Sequence, residues 1–144
     1  MMMNYRKIIK TYDELIAIPT FEERYQYLKL NGRVGEETFG HDRYLNQHFY
    51  TSDEWKRIRK DIIIRDAGCD LGMKDREIIG RIYVHHMNPI TMDDILMHSN
   101  FLLDPRYLIC TSKLTHDAIH YGDESLLQQD YVERKPYDTC PWRV

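Results

Sequence analysis

The chain has 144 residues, 42% of them hydrophobic and 30% charged, the proportions of one soluble globular domain with a modest core. No run approaches the ~18 apolar residues of a membrane span, and Met1 to Lys10 lacks the apolar centre of a secretion signal, so a cytoplasmic protein is expected. A net charge of −3 is not the basic excess of a typical nucleic-acid-binding domain, so any grip on phosphate has to come from a local patch.

Residues 1 to 19 are polar apart from one short apolar turn, Leu15-Ile16-Ala17-Ile18, that ends at Pro19. Thr20-Phe21-Glu22-Glu23 is a capping box, and Phe21, Tyr25 and Leu28 then recur on one helical face. A helix over about 20 to 31 follows, with Asn31-Gly32 as its stop. From Arg33 to Tyr50 the glycines and the cluster Tyr44, Asn46, Gln47, His48, Phe49, Tyr50 indicate a loop and a short helix. Its aromatics either pack on the next element or stack on bases. His41 and His48 read as surface or hydrogen-bonded histidines.

Thr51-Ser52-Asp53-Glu54 is a helix N-terminus with acids in the first turn, opposing the positive end of the dipole. Trp55, Ile58 and Ile62 form its buried stripe, leaving Lys56, Arg57, Arg59 and Lys60 on the other sides, where with Arg65 they are candidate phosphate contacts; Lys74, Arg76 and Arg81 continue this basic patch, which is interleaved with acids. The β-branched run from Ile62 to Arg65 predicts a strand, Asp66-Ala67-Gly68 a turn, and Ile78 to Val84 a second apolar segment feeding into His85. Thr91 to Met97 predicts a short capped helix, His98 to Asp104 a loop, and residues 107 to 111 a strand after Pro105. Ser112 or Thr115 then caps a helix that Gly122 ends. Glu124 to Lys135 forms one more helix, and in the tail that follows Trp142 is expected to pack back on the body. Cys69, Cys110 and Cys140 are odd in number and far apart, which argues for reduced thiols.

Four of the seven histidines fall in two pairs. His116 and His120 are four apart, which on a helix puts both imidazoles on one face, able to close on one metal ion. Adjacent His85 and His86, at the end of an apolar run, point to opposite sides of a strand. One of them can join the helical pair on the metal. The other stays free, with a pKa near neutrality suited to taking a proton from water.

The order His85-His86-x-x-Pro89, then Leu108-Ile109-Cys110-Thr111, then His116-x-x-x-His120-x-Gly122 resembles the HNH endonucleases, nucleases built on a ββα-metal motif. The helical His-x-x-x-His is similar to the colicin DNase branch. The lead-in, Glu54-Trp55-x-x-Ile58-Arg59 and Ile64-Arg65-Asp66-x-Gly68-Cys69, is similar to phage and bacterial HNH proteins. The resemblance implies an α+β fold: a ββα-metal (His-Me finger) core in a nuclease domain of residues 51 to 135. Residues 1 to 50 would be a helical extension packed on it and 136 to 144 a tail. Many relatives add a structural zinc held by Cys-x-x-Cys pairs, but Asp70, Leu71 and Gly72 follow Cys69, so no such site is expected.

By the same resemblance His85, His116 and His120 bind one divalent metal, and His86 is the general base that activates water for attack on a DNA phosphodiester, leaving 5′-phosphate and 3′-hydroxyl ends. Three neutral imidazoles suit Zn, Mn, Ni or Co better than Mg, though Mg turnover stays open. Tyr107 stands where the family has the Asn that holds the base-bearing loop, and its hydroxyl, Asn88 or Asn100 are the alternatives for that bond. Asp117, Asp104 and Asp93 are carboxylates able to orient an imidazole. The expected partner is DNA; a phage terminase is implied by analogy, and a homodimer is one route to a double-strand break. Competing readings are a catalytically impaired DNA-binding or packaging accessory, motivated by Tyr107 and the acidic charge, and a structural metal-binding module.

Overall fold

The computed structural model describes residues 9–30 and 43–127. His41, the helix stop Asn31-Gly32, most of the expected helix from Glu124 to Lys135, Cys140, Trp142 and the tail lie outside them.

Where the sequence predicts only an apolar turn before Pro19, there is a helix, α1 (Tyr12–Ile16), whose N-terminus Thr11 caps. Five residues are far too few for a helix to hold itself together. Arg24 supports its C-terminal end from outside, donating to the carbonyls of Ile18 (2.8 Å) and Ile16 (3.1 Å) and, across the core, to Leu71 (2.8 Å). The helix that carries Arg24, α2 (Phe21–Leu28), starts at the expected Thr20 cap and buries the expected face, Phe21, Tyr25 and Leu28. It ends at Leu28 because Lys29 turns extended and the Leu30 amide donates instead to the Ile119 carbonyl at 3.0 Å.

α3 (Arg43–Tyr50) leads to α4 (Asp53–Arg65), which Ser52 caps by accepting from the Trp55 amide. The strand expected over Ile62 to Arg65 is helix. The Trp55, Ile58, Ile62 stripe continues unbroken, with Ile62 only 1% exposed. The helix propensity lost at β-branched residues is only a few tenths of a kcal/mol each, so this burial decides the outcome. The chain then turns through Ala67 and Gly68, with φ of 53° and 65°.

Two strands follow, β1 (Tyr83–His86) and β2 (Leu108–Thr111), antiparallel with His85 opposite Ile109 and His86 opposite Leu108. The apolar segment from Ile78 pairs with β2 only from Tyr83 onward; upstream, Ile78 donates to Gly68 and Glu77 bridges to Cys69. Between the strands lie the expected capped helix α5 (Met92–Leu96), with its Thr91/Asp94 capping box, and a further helix, α6 (Asn100–Leu103), in the stretch expected as loop. Ser99 caps α6 by accepting from Phe101. α7 (Lys113–Tyr121) starts at the Ser112 cap and ends at Gly122, φ +65°.

The hairpin separates two apolar clusters. Leu15, Phe21, Tyr25, Leu28, Leu71, Met87, Ile109, Ala118 and Ile119 join one face to α2 and α7; Trp55, Ile62, Leu108 and Cys110 join the other to α4. The fold is α+β, a two-stranded antiparallel sheet among helices. No helix among the described residues is long and apolar enough to cross a membrane.

Candidate metal centre

The site depends on where α7 sits, and both ends of that helix are fixed. At its start the buried carboxylate of Asp70 accepts from the Ser112 amide (3.1 Å), the Ser112 hydroxyl (3.0 Å) and the Thr115 hydroxyl (2.5 Å). At its end a Cβ on Gly122 would run into the Leu30 carbonyl oxygen, so only glycine allows this approach. In between, the Tyr25 hydroxyl donates to the Ala118 carbonyl at 3.0 Å. The helix therefore presents His116 and His120 to the hairpin at a fixed height.

His85 meets them there. One ligating atom from each of His85, His116 and His120 lies within 4.8 Å of the others. The His116 and His120 Nε2 atoms are 3.1 Å apart. That is close to the roughly 3.3 Å expected of two imidazole nitrogens on one tetrahedral ion with ~2.0–2.1 Å bonds. The His85 ring stands edge-on to both, at centroid distances of 5.4 and 5.0 Å. His85 is 3% exposed, and its Nε2 is buried with no hydrogen-bond partner among the described residues. A buried polar nitrogen left unpaired costs free energy unless something meets it. A cation between the three rings would do so, and the donor set fits a divalent ion.

Electrostatics agree with that use. Burial first, and then the neighbouring His120, His116, His86 and Lys10, hold His85 well below the ordinary imidazole range. Burial also lowers His116, against the pull of Asp117, and brings His120 down to about 4. All three are neutral at about pH 7, the form that binds metal. The Asp117 carboxylate is 3.7 Å from His116 Nδ1, too long for a hydrogen bond, and its other oxygen takes Lys113 at 2.7 Å.

His86, on the opposite face, has different surroundings. Its Nε2 is 3.0 Å from the Leu102 carbonyl, and since a carbonyl only accepts, Nε2 carries the proton and Nδ1 the lone pair. The ring stacks on Trp55 at 5.1 Å and 22°, with Phe49 and Tyr50 about it. It is 8% exposed, and burial lowers its pKa to about 4, which corrects the expectation of an unperturbed, free imidazole.

Tyr107 closes a 3-10 turn, Pro105–Tyr107; its carbonyl accepts from Met87 at 2.9 Å and its ring packs on Phe101. The hydrogen bond on the His86 ring goes to the Leu102 carbonyl. Asn88 is committed elsewhere, exchanging two hydrogen bonds with the backbone of Lys10, and so ties the N-terminal segment to the end of β1. Asp104 is engaged by Arg106.

Of the five candidate phosphate contacts, Lys56, Arg57 and Lys60 are exposed on α4. The other two are part of the scaffold. Arg59 donates to the Ile82 carbonyl at 2.6 Å. Arg65 pairs with Asp66, donates to the Pro105 and Leu108 carbonyls and lies over the Tyr12 ring. Sequence reasoning missed the Leu102 carbonyl, the Trp55 stack and Asp70. Only the Ser99 cap, which signals a helix whose last carbonyls need partners, pointed toward the first.

No family model matches the chain, and neither a curated protein nor a solved structure shows a significant match to it.

Proposed function

We propose that the protein is a metal-dependent HNH endonuclease, with β1, β2 and α7 as its ββα-metal core, that hydrolyses DNA phosphodiester bonds. The observation that carries this reading is the division of two adjacent histidines. His85, whose Nε2 has no hydrogen-bond partner among the described residues, groups with His116 and His120, while His86 faces away with its tautomer fixed.

His85, His116 and His120 would hold the divalent ion, Zn, Mn or Ni by preference for nitrogen and Mg less so. When bound it supplies Lewis-acid polarisation of the phosphate and charge neutralisation at the departing 3′ oxygen. The chain's own residues supply the base. Nδ1 of His86 accepts a proton from water, the water oxygen bonds to phosphorus, and the P–O3′ bond breaks, the departing O3′ taking a proton from solvent to become the 3′-hydroxyl. The Leu102 carbonyl steadies the imidazolium that results, and the Trp55 stack holds the ring plane. A pKa of about 4 makes His86 a weak base in the free protein. An arriving phosphate, being anionic, raises it toward working range.

The test is a plasmid assay with Mn²⁺, Ni²⁺, Zn²⁺ or Mg²⁺, beside EDTA and a His86→Ala variant. Cleavage that needs metal and disappears in His86→Ala, with metal binding retained, is the expected result. The alternative is an accessory protein that binds DNA without cutting it. It is favoured by the depressed basicity of His86. DNA binding with no cleavage under any of these metals would establish it.

A further inference from the structure

Arg81 lies two residues before Tyr83, which lies two before His85. The Arg81 guanidinium sits over the Tyr83 ring, 5.3 Å from its centroid, and that ring packs against His116 at 5.2 Å. Guanidinium, phenol and imidazole thus form a row that ends on a ligand of the metal group. Arg81 is exposed, and among the described residues no carboxylate is within ion-pair distance of it. Lys113, at the start of α7, is tied to Asp117 at 2.7 Å.

This row matters because the metal group is built of neutral imidazoles with Asp117 beside it, whereas the substrate is a polyanion. The α4 cations Lys56, Arg57 and Lys60 belong to the helix on the His86 face. On the His116 side, among the described residues, Arg81 is an exposed cation in no ion pair; Lys10, the cation felt by His85, is half-buried with its ammonium turned to the Leu28 carbonyl. A guanidinium resting on an aromatic face keeps its N–H edge free for two parallel bonds to phosphate oxygens.

We infer that Arg81 is a substrate-positioning residue, which grips a phosphate neighbouring the scissile one while Tyr83 braces it against His116. The inference rests on the nuclease reading and deepens it. To test it, labelled duplex DNA is titrated with zinc-loaded protein in a His86→Ala background, which prevents cutting, comparing Arg81 with Arg81→Gln and Arg81→Lys across a range of NaCl. Loss of one phosphate contact should weaken binding by about tenfold and reduce the slope of log K against log salt by about 0.9. Arg81→Lys should restore the slope but not the full affinity, since an ammonium is a point charge. Zinc affinity and Tm should not move, and with His86 present Arg81→Gln should raise KM more than it lowers kcat. Unchanged affinity and slope in Arg81→Gln overturn the inference while cleavage by the wild type leaves the nuclease reading standing. Loss of zinc binding in Arg81→Gln also overturns it, by making Arg81 a structural residue. A wild type that neither binds nor cuts DNA removes both.

Discussion

The two faces of the hairpin carry the same residue type and give it opposite environments. On the α7 face, His85 stands among imidazoles with its Nε2 unpaired; on the α4 face, His86 lies among Trp55, Phe49 and Tyr50 with its Nε2 hydrogen-bonded. The difference comes from strand alternation alone, since adjacent side chains on a strand must point apart. What each face then does is set by the helix that packs on it. One face gathers three imidazoles able to hold a cation, and the other fixes a tautomer.

The largest expected effect tests whether these roles separate. His85→Ala removes a ligand and should lower zinc affinity by at least about 100-fold, carrying cleavage with it. His86→Ala should leave zinc affinity nearly unchanged and reduce cleavage by about 10² to 10⁴. Calorimetric metal titration beside plasmid nicking measures both. Equal loss of zinc binding in the two variants would sink the division of labour between the faces.

A second prediction concerns the support of the metal face. Asp70→Ala deprives three donors at the start of α7 of their acceptor, with Thr115 only 2% exposed. The expected destabilisation is about 2–4 kcal/mol, seen as a lower Tm, with weaker metal binding as α7 loses its anchorage. A variant that melts like the wild type would show that α7 is held from its other end, where Gly122 meets Leu30.

Acid should act on both faces at once. His86 and His120 are held at about 4, below the ordinary value of 6.5, and His85 and His116 are lowered as well. Between those limits the unfolded chain binds more protons than the folded one, so stability rises with pH there. The metal-free protein should therefore keep its full stability above about pH 6.5 and lose it progressively as pH falls toward 4. For His86 alone the loss is on the order of 3 kcal/mol. Chemical denaturation at a series of pH values, with EDTA present, measures it, and a flat profile would mean that the imidazoles are not buried in the neutral form.

The parts of this site that were legible in the sequence are the local ones. The His116, His120 spacing, the His85, His86 alternation, and the Thr20 and Thr91 caps each depend on a handful of consecutive residues, so pattern and geometry coincide. What escaped reading depends on partners distant in the chain. Arg65 resembles a surface base until Leu108, 43 residues on, accepts from it, and Arg59 until Ile82 does, 23 residues on. The Ile62 to Arg65 run has strand composition, yet its fate was decided by what Ile62 packs against. His86 is expected as a base by pattern, but its tautomer is set by a backbone carbonyl 16 residues away and its low pKa by burial in an aromatic lining on two other helices. Helix α1 exists because Arg24 completes it, a contact that no pattern within its own residues announces.

The smallest predicted effect asks whether the metal face holds a second group awaiting a ligand. Thr111 is fully buried opposite Tyr83, on the His85 side of the hairpin, and its hydroxyl, like His85 Nε2, has no hydrogen-bond partner. Two unpaired polar atoms on one face have different meanings if one meets a cation and the other meets only hydrocarbon. Valine has nearly the same shape and no hydroxyl to desolvate. If the Thr111 oxygen is only a cost, Thr111→Val should stabilise the protein by about 0.5–1 kcal/mol and raise Tm by roughly 2–4 °C, with zinc affinity unchanged. If instead metal binding weakens while Tm holds, the hydroxyl belongs to the ligand environment of His85, and the metal face extends one residue pair further along the hairpin than its three imidazoles indicate.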